Sequence, residues 1–87
     1  MELVSSRQHL RLGFEEVKVC QDSIVRDRSI AEAEIRKRYG VIVVAIKREN
    51  GEMVFNPDPG ERIKVGDILV ALGKEADLVK LERACLP

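Results

Sequence analysis

Tryptophan is absent from this sequence, and Phe14, Tyr39 and Phe55 are its only aromatic residues. A core must therefore be aliphatic, built from Val, Ile, Leu and Ala. Cysteine is scarce too. Cys20 and Cys85 lie far apart and form no Cys-x-x-Cys pair, which excludes a disulfide framework and reads as two buried or half-buried thiols in a reducing compartment. His9 is the only histidine, so a metal site or a Cys-His nucleophile lacks partners, and it reads as an exposed tail residue. No sign of charge dominates: 15 basic residues balance 15 acidic ones. A phosphate backbone is held by a net basic face, so nucleic acid is not the expected partner. The longest apolar run, Val41 to Ile46, falls far short of the roughly 20 residues a membrane helix needs. The N-terminus has an early acid and no apolar stretch of signal-peptide length. A soluble, cytoplasmic chain is expected.

Catalytic signatures are missing as well. There is no Gly-x-Gly-x-x-Gly or Walker loop to cradle phosphates. Asp58, Glu61 and Asp67 form a carboxylate group on paper, but they sit in turn segments that call for Asp, Gly and Pro for backbone reasons. Ser5, Ser6 and Ser23 have no evident base. Elimination leaves a binding or assembly module and no enzyme.

What is present is one small domain of 87 residues. A chain of this size buries only about 60–65% of its unfolded surface, so its stability is marginal. That shortage, with a composition rich in Ile and Val, predicts at least a homodimer.

The pattern along the chain is α+β. Residues 1–13 read as an N-terminal arm or linker, and 14–87 as the domain. Phe14 to Cys20 alternates as a first strand, and Gln21 to Arg28 is a polar connection. Ser29 and Glu32 have capping-box spacing for a helix over Ile30 to Lys37, which Gly40 ends. Val41 to Ile46 reads as a central strand buried on both faces. Asn50-Gly51 predicts a type I′ hairpin turn between Arg48 and Glu52, returning through Met53 to Phe55. Pro57 and Pro59 make Asn56 to Gly60 a rigid connection. Ile63 and Val65 alternate weakly, as a short extra strand. Ile68 to Leu72 is a second buried strand, closed by Gly73. Lys74 to Leu86 is an amphipathic helix with Leu78, Leu81 and Cys85 on one face. The expected fold is a mixed, mainly antiparallel sheet of about four strands packed with two helices.

The charged run Glu32 to Arg38 has two readings. As a solvated helix face, it would pair Arg36 with Glu32 at i−4. At a seam between two copies, facing arginines and backbone N–H groups would hold an anion. Spacing alone favours the first.

The ordered set from "SIAEAEIRKRYGVIVVAIKRENGEMVF" through "NPDPGERIKVGDILVALG" to "KEADLVKLE" resembles the TrkA-C, or RCK C-terminal, regulatory domain of potassium channel and transporter subunits. The resemblance covers Phe14 to Leu86. It implies a non-catalytic, cytosolic gating module that dimerises, lies beneath a membrane potassium channel or transporter, and accompanies a Rossmann-type nucleotide-binding domain. No Rossmann half is in this sequence, so an excised fragment and a stand-alone subunit both remain open. The resemblance implies regulation of potassium transport; the alternative is a ligand-sensing domain of the same kind on another ion or anion transporter.

Some members of that family bind cyclic di-AMP across the dimer seam, around a segment matched here by Glu34 to Val43. Ile35, Arg36, Tyr39 and Gly40 match it. Ile42 stands where an Asn reads the base, and Lys37 where a small residue stands. The implied site is Ile35, Arg36, Ile42 and Val43, with Pro57 nearby. It implies a small nucleotide or anion effector and no resident cofactor or metal. With Ile42 in the Asn position, cyclic di-AMP is expected to bind weakly or not at all.

Overall fold

The computed structural model describes residues 12–86. Residues 1–11, His9 among them, lie outside the described residues, while Leu12 and Gly13, expected to close the N-terminal arm, instead begin the first strand. Seven elements follow in order: β1 (Leu12–Lys18), α1 (Ile30–Ala33), α2 (Ile35–Tyr39), β2 (Ile42–Lys47), β3 (Met53–Phe55), β4 (Ile68–Lys74) and α3 (Glu75–Cys85). The strands form one sheet in the order β1-β4-β2-β3, and every pairing is antiparallel. The sheet is thus fully antiparallel rather than mixed among the described residues.

One face of the sheet carries the core. Val17 of β1, Ile46 of β2 and Leu69 and Ala71 of β4 point there and are buried. Leu78, Leu81 and Cys85 meet them from α3, the face that the spacing of that helix predicted. Val19, Val25, Ala33, Ile35, Val41 and Ile63 complete the cluster, which is aliphatic apart from Cys85. Gly73 lies within β4 instead of ending it. A Cβ there would come within 2.8 Å of Val41 Cγ1, so glycine is what lets the chain after α2 lie against the strand.

The capping box is formed. Ser29 Oγ accepts from the Glu32 N–H at 3.0 Å, and Glu32 Oε1 accepts from the Ser29 N–H at 2.9 Å. The single helix expected over Ile30 to Lys37 is broken, however, at Glu34, which adopts a left-handed conformation (φ 50°, ψ 44°). Residues two apart on a helix point about 200° away from one another. Ala33 and Ile35 are both buried, and the break at Glu34 is what turns both inward. Gly40, at φ 72°, ends α2 as anticipated.

Three other expectations change. The turn between β2 and β3 is not type I′, because Gly51 alone has positive φ there. Its N–H closes on Arg48 O at 3.0 Å, while Arg48 N–H donates to Glu52 O at 2.8 Å, giving a three-residue connection with glycine in the left-handed position. Ile63 and Val65 form no strand. Residues 59–63 run beside the loop before α1, as Ile30 N–H donates to Glu61 O and Asp27 N–H to Ile63 O. Ile63 is buried while Val65 is exposed. Finally, β2 is not buried on both faces, since Ile42 is 57% exposed.

Candidate functional site

Among the described residues, no helix lies on the second face of the sheet. Cross-strand partners share a face, so the register lays out its rows. Phe14, Leu72 and Ile42 form one row. Glu16, Val70, Ala45 and Phe55 form the next, followed by Lys18, Ile68, Lys47 and Met53. Leu12 and Lys74 lie at one end. Phe14 is 66% exposed and Phe55 78%, and Leu12, Ile42 and Met53 are open as well. Both phenylalanines of the chain therefore lie on solvent-facing apolar surface. One ion pair crosses it, Lys47 Nζ to Glu16 Oε1 at 3.6 Å. Isolated exposed apolar residues are ordinary, whereas a contiguous patch of this kind marks an interaction surface.

Arg36 lies on α2, the element leading into this face. Gly40 reverses the chain after it, Val41 drops into the core, and Ile42 emerges on the open face. Arg36 is exposed and makes no ion pair or side-chain hydrogen bond among the described residues. The acids near it are engaged elsewhere. Glu34 accepts from Arg38 Nε at 2.9 Å and lies 3.9 Å from Lys37 Nζ. These partners, Arg38 first, hold its carboxyl below the usual range. Glu32 serves the capping box and Arg62, whose Nη1 is 3.4 Å away. The Ser29 N–H is the main cause of its lowered pKa. The i−4 partner that would have made Arg36 a plain helix-face residue is thus committed to other groups.

The remaining residues of the implied site divide. The Asn56 N–H donates to Val44 O at 2.7 Å, which carries the half-buried Pro57 alongside β2. Ile35 is 2% exposed and Val43 packs against the core, so both support the site from beneath. Arg36, Ile42 and Pro57 are the members whose side chains reach the surface or its edge. The sequence reading missed Phe14, Met53 and Phe55, although the alternation Leu12, Phe14, Glu16 and the pair Met53, Phe55 carried the signal.

Of the three carboxylates considered for catalysis, Asp67 and Glu61 are engaged in structural ion pairs, and Asp58 is exposed. Asp67, buried, accepts from Arg48 Nη1 and from the Lys64 N–H at 2.8 Å. Glu61 accepts from Arg48 Nη2 at 2.6 Å. Among the described residues no cluster of three potential metal ligands occurs, and no helix is long and apolar enough to cross a membrane.

Comparison with known proteins agrees with this fold. The family model for the TrkA-C domain matches residues 14–86. The ammonium/H(+) antiporter subunit AmhM of Alkalihalophilus pseudofirmus is 32% identical over 69 residues, which is 79% of this chain and 41% of that protein. The chain therefore spans about two fifths of that relative. The solved RCK C domain of the potassium transport protein KtrA, in complex with cyclic di-AMP, superposes with a TM-score of 0.74 at 29% identity, covering 91% of this chain and 89% of that one. The RCK_C domain dimer of S. agalactiae BusR, also with cyclic di-AMP, gives 0.76 at 28% identity, covering 82% and 92%.

Proposed function

The chain belongs to the TrkA-C domain family, and on that premise we propose that it is a non-catalytic regulatory domain of a potassium transporter or channel. It acts on the cytoplasmic side, as a dimer, and responds to a small anionic effector. The observation that carries this reading is the open apolar face built by Phe14, Ile42, Met53 and Phe55, a surface suited to cover by a second copy. The BusR RCK_C domain is itself described as a dimer. The same face has Arg36 at its approach, with no acidic partner among the described residues. A guanidinium so placed gives bidentate contact to a phosphate or carboxylate, and Ile42 and Pro57 supply apolar flanks for a base or ring.

Potassium is favoured as the transported ion by the likeness to KtrA, a potassium transport protein. A second reading, regulation of a transporter for another ion, rests on AmhM, a subunit of an ammonium/proton antiporter. In either case the domain works with a Rossmann-type nucleotide-binding domain or subunit and a membrane partner. Cyclic di-AMP is a weak candidate for the effector, because Ile42 has no polar group to read a base edge.

A thermal-shift panel of cyclic di-AMP, ATP, NADH and simple anions tests the reading. At least one should raise the melting temperature of the wild-type chain. If none moves it, the effector is removed from the proposal.

A further inference from the structure

Cys20 and Cys85 meet where the loop after β1 closes the C-terminal end of α3. The last carbonyls of a helix have no partner within it. Here the Cys20 N–H donates to Cys85 O at 3.1 Å and the Ile24 N–H to Ala84 O at 3.2 Å. The Ser23 hydroxyl donates to the same Ala84 carbonyl at 3.0 Å. A backbone hydrogen bond of that length holds the Cα atoms of Cys20 and Cys85 within about 7 Å, at the edge of or inside the span that a disulfide bridges. Both sulfurs are free thiols, that of Cys85 in a buried residue and that of Cys20 in a half-buried one. Regulation through Arg36 and the open sheet face uses neither of them.

We propose that Cys20 and Cys85 are a reversible disulfide pair, an oxidation site that locks the last turn of α3 to the loop following β1. The oxidant is a small peroxide. Cys20 is the sulfur it reaches, because Cys85 is sealed inside the core. The Cys20 thiolate attacks one peroxide oxygen and the O–O bond breaks, leaving a sulfenic acid on Cys20 and a hydroxide that takes up the proton shed by the Cys20 thiol, as water. The Cys85 sulfur then attacks the Cys20 sulfur. The S–S bond forms, the S–O bond breaks, and the departing hydroxide takes the Cys85 proton as a second water. Overall two thiols lose two hydrogens and one peroxide becomes two waters. The order of events suits the two environments: burial, only partly offset by the Ser23 hydroxyl, pushes the Cys85 thiol up to about 11, and the thiolate is the attacking form. Cys85 thus resolves the bridge and does not begin it.

The bridge joins the loop after β1 to the end of α3 and closes a loop that spans most of the chain. Such a cross-link restricts the unfolded ensemble most when the loop is long. The oxidised domain should therefore melt higher than the reduced one.

The test treats the whole wild-type chain with hydrogen peroxide, then denatures it and reads intact mass, alkylatable thiols and melting temperature. The proposal expects a monomer lighter by two hydrogens, with no alkylatable thiol and a raised melting temperature, all reversed by reductant. Cys20→Ser, a change at a half-buried position, should keep an alkylatable Cys85, an unchanged mass and an unmoved melting temperature. The proposal is overturned if wild type retains both thiols, if Cys20 goes on to sulfinic acid without bridging, or if the product is a Cys20-linked dimer. The wild-type measurement stands alone should the variant fail to fold.

Discussion

Arg48, at the end of β2, and Asp67, at the turn into β4, form an ion pair of 2.5 Å that ties the hairpin to the start of the neighbouring strand. Their side chains are 14% and 3% exposed. Arg48 also reaches Glu61 and donates to the Arg62 carbonyl at 2.9 Å. One guanidinium thus joins the paired ends of β2 and β4 to the Glu61–Arg62 segment, which lies outside the sheet. Removing one partner of a buried pair leaves an uncompensated charge and costs about 3–5 kcal/mol. Arg48→Met should therefore lower the melting temperature by roughly 12 °C or more. A change under about 4 °C, the equivalent of ~1 kcal/mol, would show that Asp67 finds other compensation.

The two faces of the sheet should respond differently to the same charge. Ile46 and Leu69 are fully buried on the helix side. Replacing either with Asp strands a charge in the core and should unfold the domain, since stability is only about 5–15 kcal/mol in total. Phe55→Asp, on the open face, should leave a cooperatively unfolding domain. Circular dichroism melts separate the cases, and a wild-type melt for Ile46→Asp would refute the face assignment.

Sedimentation equilibrium at micromolar concentration follows the open face itself. The wild-type chain should run at about twice its 9.8 kDa mass, and Phe55→Asp at that monomer mass. A wild-type monomer would remove the second copy from the proposal.

The capping box gives a pH dependence with a defined sign. The Ser29 N–H, and then Arg62, hold the Glu32 carboxyl below its ordinary value of 4.5. A depressed carboxylate stabilises the fold above its unfolded pKa, and that contribution fades as pH falls through the lower folded value. Wild type should therefore melt above Glu32→Gln at neutral pH, and the gap should close as the pH drops below 4.5. A gap that stays constant down the acid limb would show that the charge does not matter. Ser29→Ala, which removes the other half of the box, should cost about 1 kcal/mol.

Much of this fold is legible in the sequence because local chemistry agrees with the tertiary answer. Ser29 with Glu32 marks a helix start, Gly40 its end, and Leu78, Leu81 and Cys85 a buried stripe. The misses are tertiary. Glu34 breaks a helix whose propensity favours continuation, because Ala33 and Ile35 must both face the core. Gly73 reads as punctuation, yet its lack of a side chain answers to Val41, 32 residues earlier in the chain. The apolar run Val41 to Ile46 implies burial on two faces, but nothing among the described residues covers the second. At the site, spacing alone gave Arg36 a helix acid for a partner. Only the structure shows Glu32 and Glu34 engaged by Ser29, Arg62, Lys37 and Arg38.

That freedom of Arg36 is where the functional account meets experiment most directly. Calorimetric titration of the effector selected by thermal shift compares wild type with Arg36→Ala. The side chain is exposed and makes no ion pair or side-chain hydrogen bond among the described residues, so the variant should melt as wild type does. Its affinity should fall at least tenfold, about 1.4 kcal/mol. Cyclic di-AMP, included for reference, should bind weakly or not at all. Equal affinities for wild type and Arg36→Ala would contradict the account and reduce the approach to the open face to a structural surface.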